Sequence, residues 1–250
     1  MSDLNLNLLQ AISNWQRGGN AREKHYRGQA LKEAVKNLDK KFRCTSLVAF
    51  RKVDLKKQPL WQLLAGGKLK ETISAWTSTT DVAKTFKGGV PLKAWQGVIV
   101  EYLPKPEEVI VNLASLYADS SFKEAIEFHR TNITDYDNGM GEYKGSQNEV
   151  VIEKDSLTPS EIYALGGYSN EPYKLGRIFF GRDPEPIEIA WMQVELQRIG
   201  KSFGPWWIEG DAKDRVLRHI LEEIPALQEL KQLQVAKEER RVERLKAVSK

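Results

Sequence analysis

Three short segments of the sequence carry side chains that could do chemistry at the ends of β-rich runs. In the first, Arg51 follows the apolar run 47–50. An arginine guanidinium keeps its charge and presents a planar fork of donors, which suits a pyrophosphate or a carboxylate. Arginines also close many ordinary strands, where they form surface salt bridges. Arg51 is therefore a candidate anion anchor that needs support from other residues.

A row of hydroxyl groups forms the second segment. Ser78, Thr79 and Thr80 follow Trp76 and Thr77 in a β-prone run. Hydroxyls on a strand can orient a neighbouring carboxylate by hydrogen bonding and hold its charged form towards a substrate. Threonine runs are also common in strands with no site, so this segment is ambiguous by itself.

The third segment pairs an amide with an acid. Gln147 and Glu149 are two residues apart, and two residues apart on a strand share one face. Glu149 directly precedes the apolar run 150–152, so we expect its carboxylate to be partly desolvated. Exposed glutamates are also frequent at strand starts. The pair predicts a cleft that holds an acid beside an amide.

The elements that position these residues are helices followed by short strands. Apolar residues recur at helical spacing near the start, at Leu4, Leu8, Ile12 and Trp15. A second helical pattern, through Leu31 and Leu38, follows a glycine pair at 18 and 19. Short β-prone runs then predict strands at 46–50, 97–102, 109–111, 150–152 and 177–180. These patterns predict an α+β fold.

Helices are predicted again towards the C-terminus. Thr158, Pro159 and Glu161 combine a capping threonine, a proline at the first helical position and a glutamate three residues after the cap, which predicts a helix start. Another helix is predicted from Asp211 up to Pro225, because proline removes a backbone donor. A strongly charged helix is predicted beyond it.

Length and composition limit the classes of protein. A chain of 250 residues with 41% hydrophobic content can bury one substantial core. We predict a main domain over 1–185 and a helical extension over 186–250. The single cysteine, Cys44, excludes an internal disulfide and supplies too few thiolates for a structural zinc site. The three histidines lack metal-ligand spacing, so no metal is expected.

Charge and hydropathy add a weak preference for partners. The formal net charge of +4 permits a polyanionic partner without requiring one. Basic residues are concentrated in the last fourteen positions, but acidic residues lie among them. A solvated helix face is therefore favoured over a nucleic-acid-binding arm. The first thirty residues hold no apolar run suited to a signal peptide or a membrane span, so we expect a cytosolic protein with no membrane partner.

In this order, the three segments resemble the motifs of the Arg-Ser-Glu class of ADP-ribosyltransferases, which includes Rho-modifying clostridial exoenzymes and actin-modifying binary toxins. That family has an aromatic-Arg strand end, a Ser-Thr-Ser strand and a Gln-x-Glu or Glu-x-Glu pair. The matching segments, over roughly residues 45–153, are Phe50-Arg51, Ser78-Thr79-Thr80 with threonine as its last residue, and Gln147-Asn148-Glu149.

The resemblance implies an NAD-dependent transfer reaction in a core of short, mainly antiparallel strands in two packed sheets. In the family, the glutamate matching Glu149 holds a ribose hydroxyl and stabilises the charge that develops as the nicotinamide–ribose bond breaks. The serine matching Ser78 orients that glutamate, with Thr79 and Thr80 beside it in the NAD site. The arginine matching Arg51 anchors the phosphates.

Two loops extend the resemblance. Residues 83–91 are similar to the loop that closes over phosphate and nicotinamide, so Phe86 is expected to cover the nicotinamide. Lys87 stands about where some members carry a phosphate-binding arginine. Residues 139–146 resemble the substrate-recognition turn, with Tyr143 as its exposed aromatic. Gln147 would steer the acceptor, and its amide favours a nucleic-acid base or an Asn or Gln side chain over arginine.

Several alternatives stay open. His25-Tyr26-Arg27-Gly28 matches the usual aromatic-Arg-Gly motif more closely, but Arg27 lies in a helical pattern, so Arg51 is preferred. The chain could instead be a nucleic-acid-binding module without catalysis, or an NAD glycohydrolase that transfers to water. We favour an intracellular toxin, a phage-related or phage-defence effector, or the toxin of a toxin–antitoxin pair. Its acceptor would be RNA, DNA or protein, and its C-terminal helix is a candidate contact for an antitoxin or chaperone.

Overall fold

The computed structural model describes residues 4–55, 59–91, 95–143, 147–168, 172–199 and 204–248. Within these ranges the chain is α+β, with ten α-helices and seven strands in one antiparallel sheet. The helices are α1 (Leu6–Gln16), α2 (Ala21–Ala34), α3 (Leu60–Leu64), α4 (Thr80–Thr85), α5 (Leu113–Ala118), α6 (Ser120–His129), α7 (Met140–Tyr143), α8 (Pro172–Phe180), α9 (Pro186–Arg198) and α10 (Gly210–Val248). The strands are β1 (Ala49–Leu55), β2 (Ile73–Thr77), β3 (Gln96–Tyr102), β4 (Val109–Asn112), β5 (Glu149–Glu153), β6 (Ile162–Tyr168) and β7 (Pro205–Ile208).

The sheet is weakly joined at its centre. Its strand order is β4-β5-β2-β1-β3-β6-β7. β1 pairs with β3 along its whole length, whereas β1 and β2 share one registered pair, Phe50 with Thr77. The seven strands still form a single sheet, so the second packed sheet that the resemblance implied is not found among the described residues. Because β1 and β2 diverge beyond their one pair, a cleft opens between them.

Each face of the sheet carries its own core. Val150 and Ile152 belong to one core and Val151 to the other, as the alternation of side chains along a strand requires. The first core packs β2 and β5 against α3 and α10, where Leu217 is buried. The second packs β4 and β5 against α1 and α2, where Leu31 is buried. A residue's place along a strand therefore decides which helical layer its side chain meets.

The N-terminal helices are fixed by their caps and by the turn between them. Asn5 caps α1, and Asn20 forms a capping box with Glu23 at the start of α2. Gly18 and Gly19 take φ values of 67° and 122°, which glycine adopts without a side-chain clash. This turn holds the last residues of α1 against the centre of the sheet.

Three predicted elements were wrong. Residues 177–180 end helix α8 and form no strand, because a short apolar run does not distinguish the two structures by periodicity. The capping box at Thr158 exists, but it caps a single 3-10 turn, Pro159–Glu161, that leads into β6. Pro225 lies inside α10, which continues past it. The N-terminal helices and the strands near 97–102, 109–111 and 150–152 are confirmed. The strand predicted at 46–50 is shifted: β1 begins at Ala49 and runs to Leu55, so Arg51 lies inside the strand and does not end it.

The segment 186–250 contributes to the sheet as well as to helices. Its strand β7 pairs with β6, with Leu165 opposite Ile208, so a boundary after residue 185 does not separate the sheet from the extension. Lys213 of α10 donates to the backbone oxygen of Ile162 at 2.9 Å. Farther along α10, residues 237–243 are exposed. Among the helices described, none is both long and apolar enough to cross a membrane.

Candidate functional site

A cavity of about 680 Å³ lies where β1 and β2 diverge. This volume is in the range of small-molecule sites. Residues 50–55 of β1 and 73–77 of β2 line it, together with residues 15–19 at the end of α1 and the turn after it. The lining contains these sequence-predicted site residues: Arg51, Phe86, Lys87, Tyr143, Gln147 and Glu149.

The predicted hydroxyl row lies largely beyond the cavity. β2 ends at Thr77, and α4 begins at Thr80 with Thr79 as its N-terminal cap. Ser78 lies between these elements, where its backbone N–H donates to the oxygen of Asn148 at 3.3 Å. Ser78, Thr79 and Thr80 are not among the described lining residues. We expected these three residues to lie on one strand, but β2 ends before them and the chain turns into α4 instead.

Arg51 is anchored near the start of β1 by the residues that precede and begin β2. Its Nη1 donates to Oγ of Ser74 at 2.7 Å and to the backbone oxygen of Glu71 at 3.2 Å. Its Nη2 donates to Oε2 of Glu71 at 2.9 Å. The side chain is only 12% exposed. These contacts hold the guanidinium across the opening between the two strands.

Glu71 links Arg51 to the N-terminal helices. Lys24 of α2 donates to Oε1 of Glu71 at 2.9 Å. Burial alone would raise the pKa of Glu71, but the hydrogen bond from Lys24 and the charge of Arg51 lower it overall. Burial lowers the pKa of Arg51, and Glu71 opposes that effect. The ionised Glu71 therefore keeps a desolvated guanidinium charged and oriented.

Glu149 begins β5 directly opposite Thr77 of β2. Thr77 is also the residue that pairs with Phe50, so these three residues form one row across three strands. Paired residues in an antiparallel sheet share a face, with Cβ atoms about 5 Å apart. Oγ1 of Thr77 donates to the backbone oxygen of Gln147 at 2.8 Å. Thr77 is thus the buried hydroxyl residue beside Glu149.

The Glu149 carboxylate is buried and held by the end of α1. The residue is 7% exposed, and its Oε1 accepts a hydrogen bond from Nε1 of Trp15 at 2.7 Å. Burial raises the pKa of Glu149, while side-chain hydrogen bonds from Trp15 and Gln16 lower it. A buried acid that is oriented by neutral donors fits a residue meant to face developing positive charge.

Arg51 and Glu149 approach the cavity from opposite faces of the sheet. Arg51 pairs with Val100, which belongs to the core on the α3 and α10 side. Glu149 alternates with Val150 and meets Trp15 of α1 on the other side. Both line the same cavity because β1 and β2 diverge after one pair.

The amide and the acid of the third motif do not alternate on one strand. Gln147 lies in a turn before β5, and Asn148 between them has a φ of 46°. That left-handed conformation breaks the alternation on which the shared face was predicted. Both side chains nevertheless line the cavity, as does the half-buried Tyr143. Residues 144–146 of the predicted recognition turn lie outside the described residues.

The predicted loop over the cavity contains Phe86 and Lys87. Phe86 is 42% exposed, and its backbone oxygen accepts from Nζ of Lys52 at 3.0 Å. Lys87 has a φ of 49°, an uncommon value for a residue with a side chain, and Gly88 and Gly89 after it have positive φ. A strained residue at a cavity is a frequent feature of ligand sites.

Positive charge predominates in the cavity. Among the described residues, its charged lining consists of Arg17, Lys24, Arg51, Lys52, Lys70 and Lys87 against Asp54, Glu71 and Glu149. Six cations against three anions favour an anionic ligand, and low-dielectric walls strengthen that preference. Among the described residues, no three His, Cys, Asp or Glu side chains are grouped to hold a metal ion.

Sequence reasoning missed five residues of the site: Trp15, Gln16, Glu71, Ser74 and Thr77. Trp15 was assigned to the apolar face of a helix, and no local pattern links it to an acid 134 residues away. The β-prone run around Trp76 was the one available signal for Ser74 and Thr77. Arg27 lies in α2 and donates to the backbone oxygen of Gly18, which agrees with the choice of Arg51 as the strand arginine.

Comparison of the chain with models of known protein families, with curated protein sequences and with solved structures found no match. The cavity itself is therefore the basis on which a function can be assigned.

Proposed function

We propose that the protein is an NAD-consuming mono-ADP-ribosyltransferase that acts in the cavity between β1 and β2. One observation carries the proposal: a buried carboxylate, Glu149, and an anchored guanidinium, Arg51, line a single cavity of suitable volume for a nucleotide ligand. The excess of basic side chains in the lining suits a pyrophosphate. The resemblance of the Arg51, Ser78 and Glu149 segments to the Arg-Ser-Glu family points to the same reaction.

The proposed mechanism uses the two ends of the cavity for two parts of NAD. Arg51 binds the pyrophosphate, with Lys87 and other lysines of the lining nearby. Glu149 accepts a hydrogen bond from a ribose hydroxyl and stabilises the positive charge that builds on the sugar. The bond between ribose and nicotinamide breaks, and its electron pair leaves with the nicotinamide nitrogen. The acceptor atom then bonds to the sugar carbon and loses its proton.

The acceptor is proposed to be a macromolecule other than an arginine side chain. Gln147 and Tyr143 line the cavity beside Glu149, so an acceptor reaching Glu149 meets an amide and a phenol. An amide pairs with a base edge or with an Asn or Gln side chain, whereas a second carboxylate would attract guanidinium. An effector or toxin that works in the cytoplasm on RNA, DNA or protein remains the proposed role, with NAD as co-substrate.

The experiment supplies NAD labelled in its adenylate phosphate to the purified protein, with and without cell lysate. Nicotinamide release and transfer of label to macromolecules are measured separately. Glu149→Gln should reduce both by on the order of 100-fold or more, because it removes a transition-state contact. Arg51→Ala should weaken NAD binding by roughly 10-fold through the loss of a charged hydrogen-bond donor.

Glu153→Gln is the matched control, since Glu153 ends the same strand and forms a surface ion pair with Lys32. It should leave both rates unchanged. Label that survives protease but not nuclease identifies a nucleic-acid acceptor, and the reverse identifies a protein. Nicotinamide release with no labelled macromolecule would instead identify a glycohydrolase. Salt-dependent nucleic-acid binding with no release of nicotinamide would refute the enzymatic proposal.

A further inference from the structure

The end of α1 makes a specific contact with the proposed catalytic acid. Trp15 lies in the last turn of α1, and its indole N–H points at Oε1 of Glu149 at 2.7 Å. Indole is a donor only, so Oε1 is the acceptor in this contact, and the hydrogen bond is stronger when the carboxylate is ionised. Trp15 thus favours the ionised form of Glu149 and fixes the orientation of its carboxylate.

Gln16 follows Trp15 at the end of α1 and lines the same cavity, and a third residue orients its amide. The hydroxyl of Tyr117 in α5 donates to Oε1 of Gln16 at 2.8 Å. Interaction with the Gln16 side chain is one of the two causes that lower the pKa of Glu149, after the hydrogen bond from Trp15. Gln16 is itself buried. The hydrogen bond from Tyr117 therefore fixes the orientation of the Gln16 amide at the end of α1.

The packing around Trp15 leaves room for its ring at the expense of helix propensity. Gly28 lies inside α2, where glycine costs about 1 kcal/mol relative to alanine. A Cβ at that position would lie 3.2 Å from Cζ3 of Trp15 and 3.0 Å from Cγ2 of Ile73. Gly28 thus lets the ring lie close against α2.

We propose that Trp15 and Gln16 are positioning residues for Glu149, an inference that rests on the proposed function. They hold the carboxylate in the orientation in which it meets the ribose, and their interactions oppose the rise in pKa that burial causes. Among the described residues, two ionisable groups whose pKa responds to the charge of Glu149 are the phenols of Tyr117 in α5 and Tyr143 in α7. The pKa of each phenol is raised by burial, and the charge of Glu149 adds to this effect.

The test replaces Trp15 by phenylalanine, which keeps an aromatic ring and removes the donor. Trp15→Phe should lower kcat for nicotinamide release by on the order of 10-fold to 100-fold and leave KM for NAD unchanged. The acid limb of the pH profile should move to higher pH, because a carboxylate that loses a donor is protonated more readily. Tyr117→Phe should move the limb in the same direction by less.

Trp207→Phe is the control, because the Trp207 indole also donates a hydrogen bond, to the backbone oxygen of Lys84 at 3.0 Å. It should leave the limb in place. Titration of the Glu149 carboxyl by 13C NMR, assigned by comparison with Glu149→Gln, reads the contact without any turnover. If the wild type releases nicotinamide but Trp15→Phe changes neither kcat nor the limb, the inference is overturned. If the wild type releases no nicotinamide, the proposed function fails. In that case the NMR titration still tests the contact: an unchanged titration of Glu149 in Trp15→Phe overturns the positioning role of Trp15 as well.

Discussion

Oγ of Ser74 lies 2.7 Å from Nη1 of Arg51, and the same oxygen accepts a hydrogen bond from Nε1 of Trp76 at 3.0 Å. Ser74 is 2% exposed, so water does not replace these contacts readily. Ser74→Ala leaves the guanidinium with one fewer anchor. We expect the variant to raise Kd for NAD by roughly 3-fold to 10-fold, measured by calorimetric titration in a Glu149→Gln background that prevents turnover.

Ser78→Ala is the comparison for that measurement. The Ser78 hydroxyl is one residue beyond β2, outside the described cavity lining, so its removal should leave Kd unchanged. If Ser78→Ala lost more affinity for NAD than Ser74→Ala, the prediction would be wrong, and Ser78 would be the hydroxyl residue of the site, as the family resemblance suggested.

Glu149→Gln should be more stable than the wild type at neutral pH. Burial raises the pKa of Glu149 above its ordinary value of 4.5, so ionising this residue opposes folding. A carboxyl whose pKa is raised by folding contributes stability below its unfolded pKa and loses it as pH rises through the folded pKa. The Tm of the wild type should therefore fall relative to Glu149→Gln as pH rises from below 4.5.

Calorimetric scans of both proteins across that interval test the prediction. The difference in Tm should become constant once Glu149 is fully ionised. A glutamine variant that is less stable throughout would mean that the hydrogen bonds from Trp15 and Gln16 outweigh the burial of the charge.

The fold could be predicted where hydrophobic periodicity is long or strongly β-branched. The helix that became α1 and the strand around Val98 and Val100 have such patterns. The run at 177–180 does not, and its helical state depends on tertiary packing, in which Gly176 lies against Pro184. The continuation of α10 through Pro225 could not be predicted either, because the local rule for proline indicates a break.

The site could be predicted only in part, because its contacts join distant elements. Arg51 and Glu149 were predicted from their position next to β-rich runs, and both line the cavity. Glu71 lies just before β2 and belongs to no recognisable motif. Its role depends on ion pairs with Lys24 and Arg51, which are distant in the sequence. The assignment of Ser78 depended on where β2 ends, and strand ends are the least predictable feature of a sequence.

Two substitutions of Lys87 separate the effect of its strained backbone on stability from the effect of its charge on NAD binding. Its φ of 49° costs an ordinary residue about 1 kcal/mol, a cost that glycine avoids. Lys87→Gly and Lys87→Ala both remove the ammonium, so both should weaken NAD binding to the same degree. Lys87→Gly should be more stable than Lys87→Ala by about 1 kcal/mol in urea denaturation. Equal stabilities would indicate that the loop changes conformation when the lysine is removed.

The C-terminal part of α10, from residue 233 onward, should be dispensable for folding and for cleavage of NAD. Leu217 is buried under the sheet, and Lys231 lies 5.8 Å from the ring centre of Trp61, whereas residues 237–243 are exposed. Deletion of residues 233–250 should change Tm by no more than about 2 °C and leave nicotinamide release intact.

Leu217→Ala is the control in the buried part of the same helix. It should lower the free energy of unfolding by about 2–5 kcal/mol, because it leaves a cavity in the core. If the deletion abolishes nicotinamide release, the outer helix supports the cavity. If it abolishes labelling of macromolecules while nicotinamide release persists, the exposed, charged segment of α10 is the surface that brings the acceptor to Gln147 and Glu149.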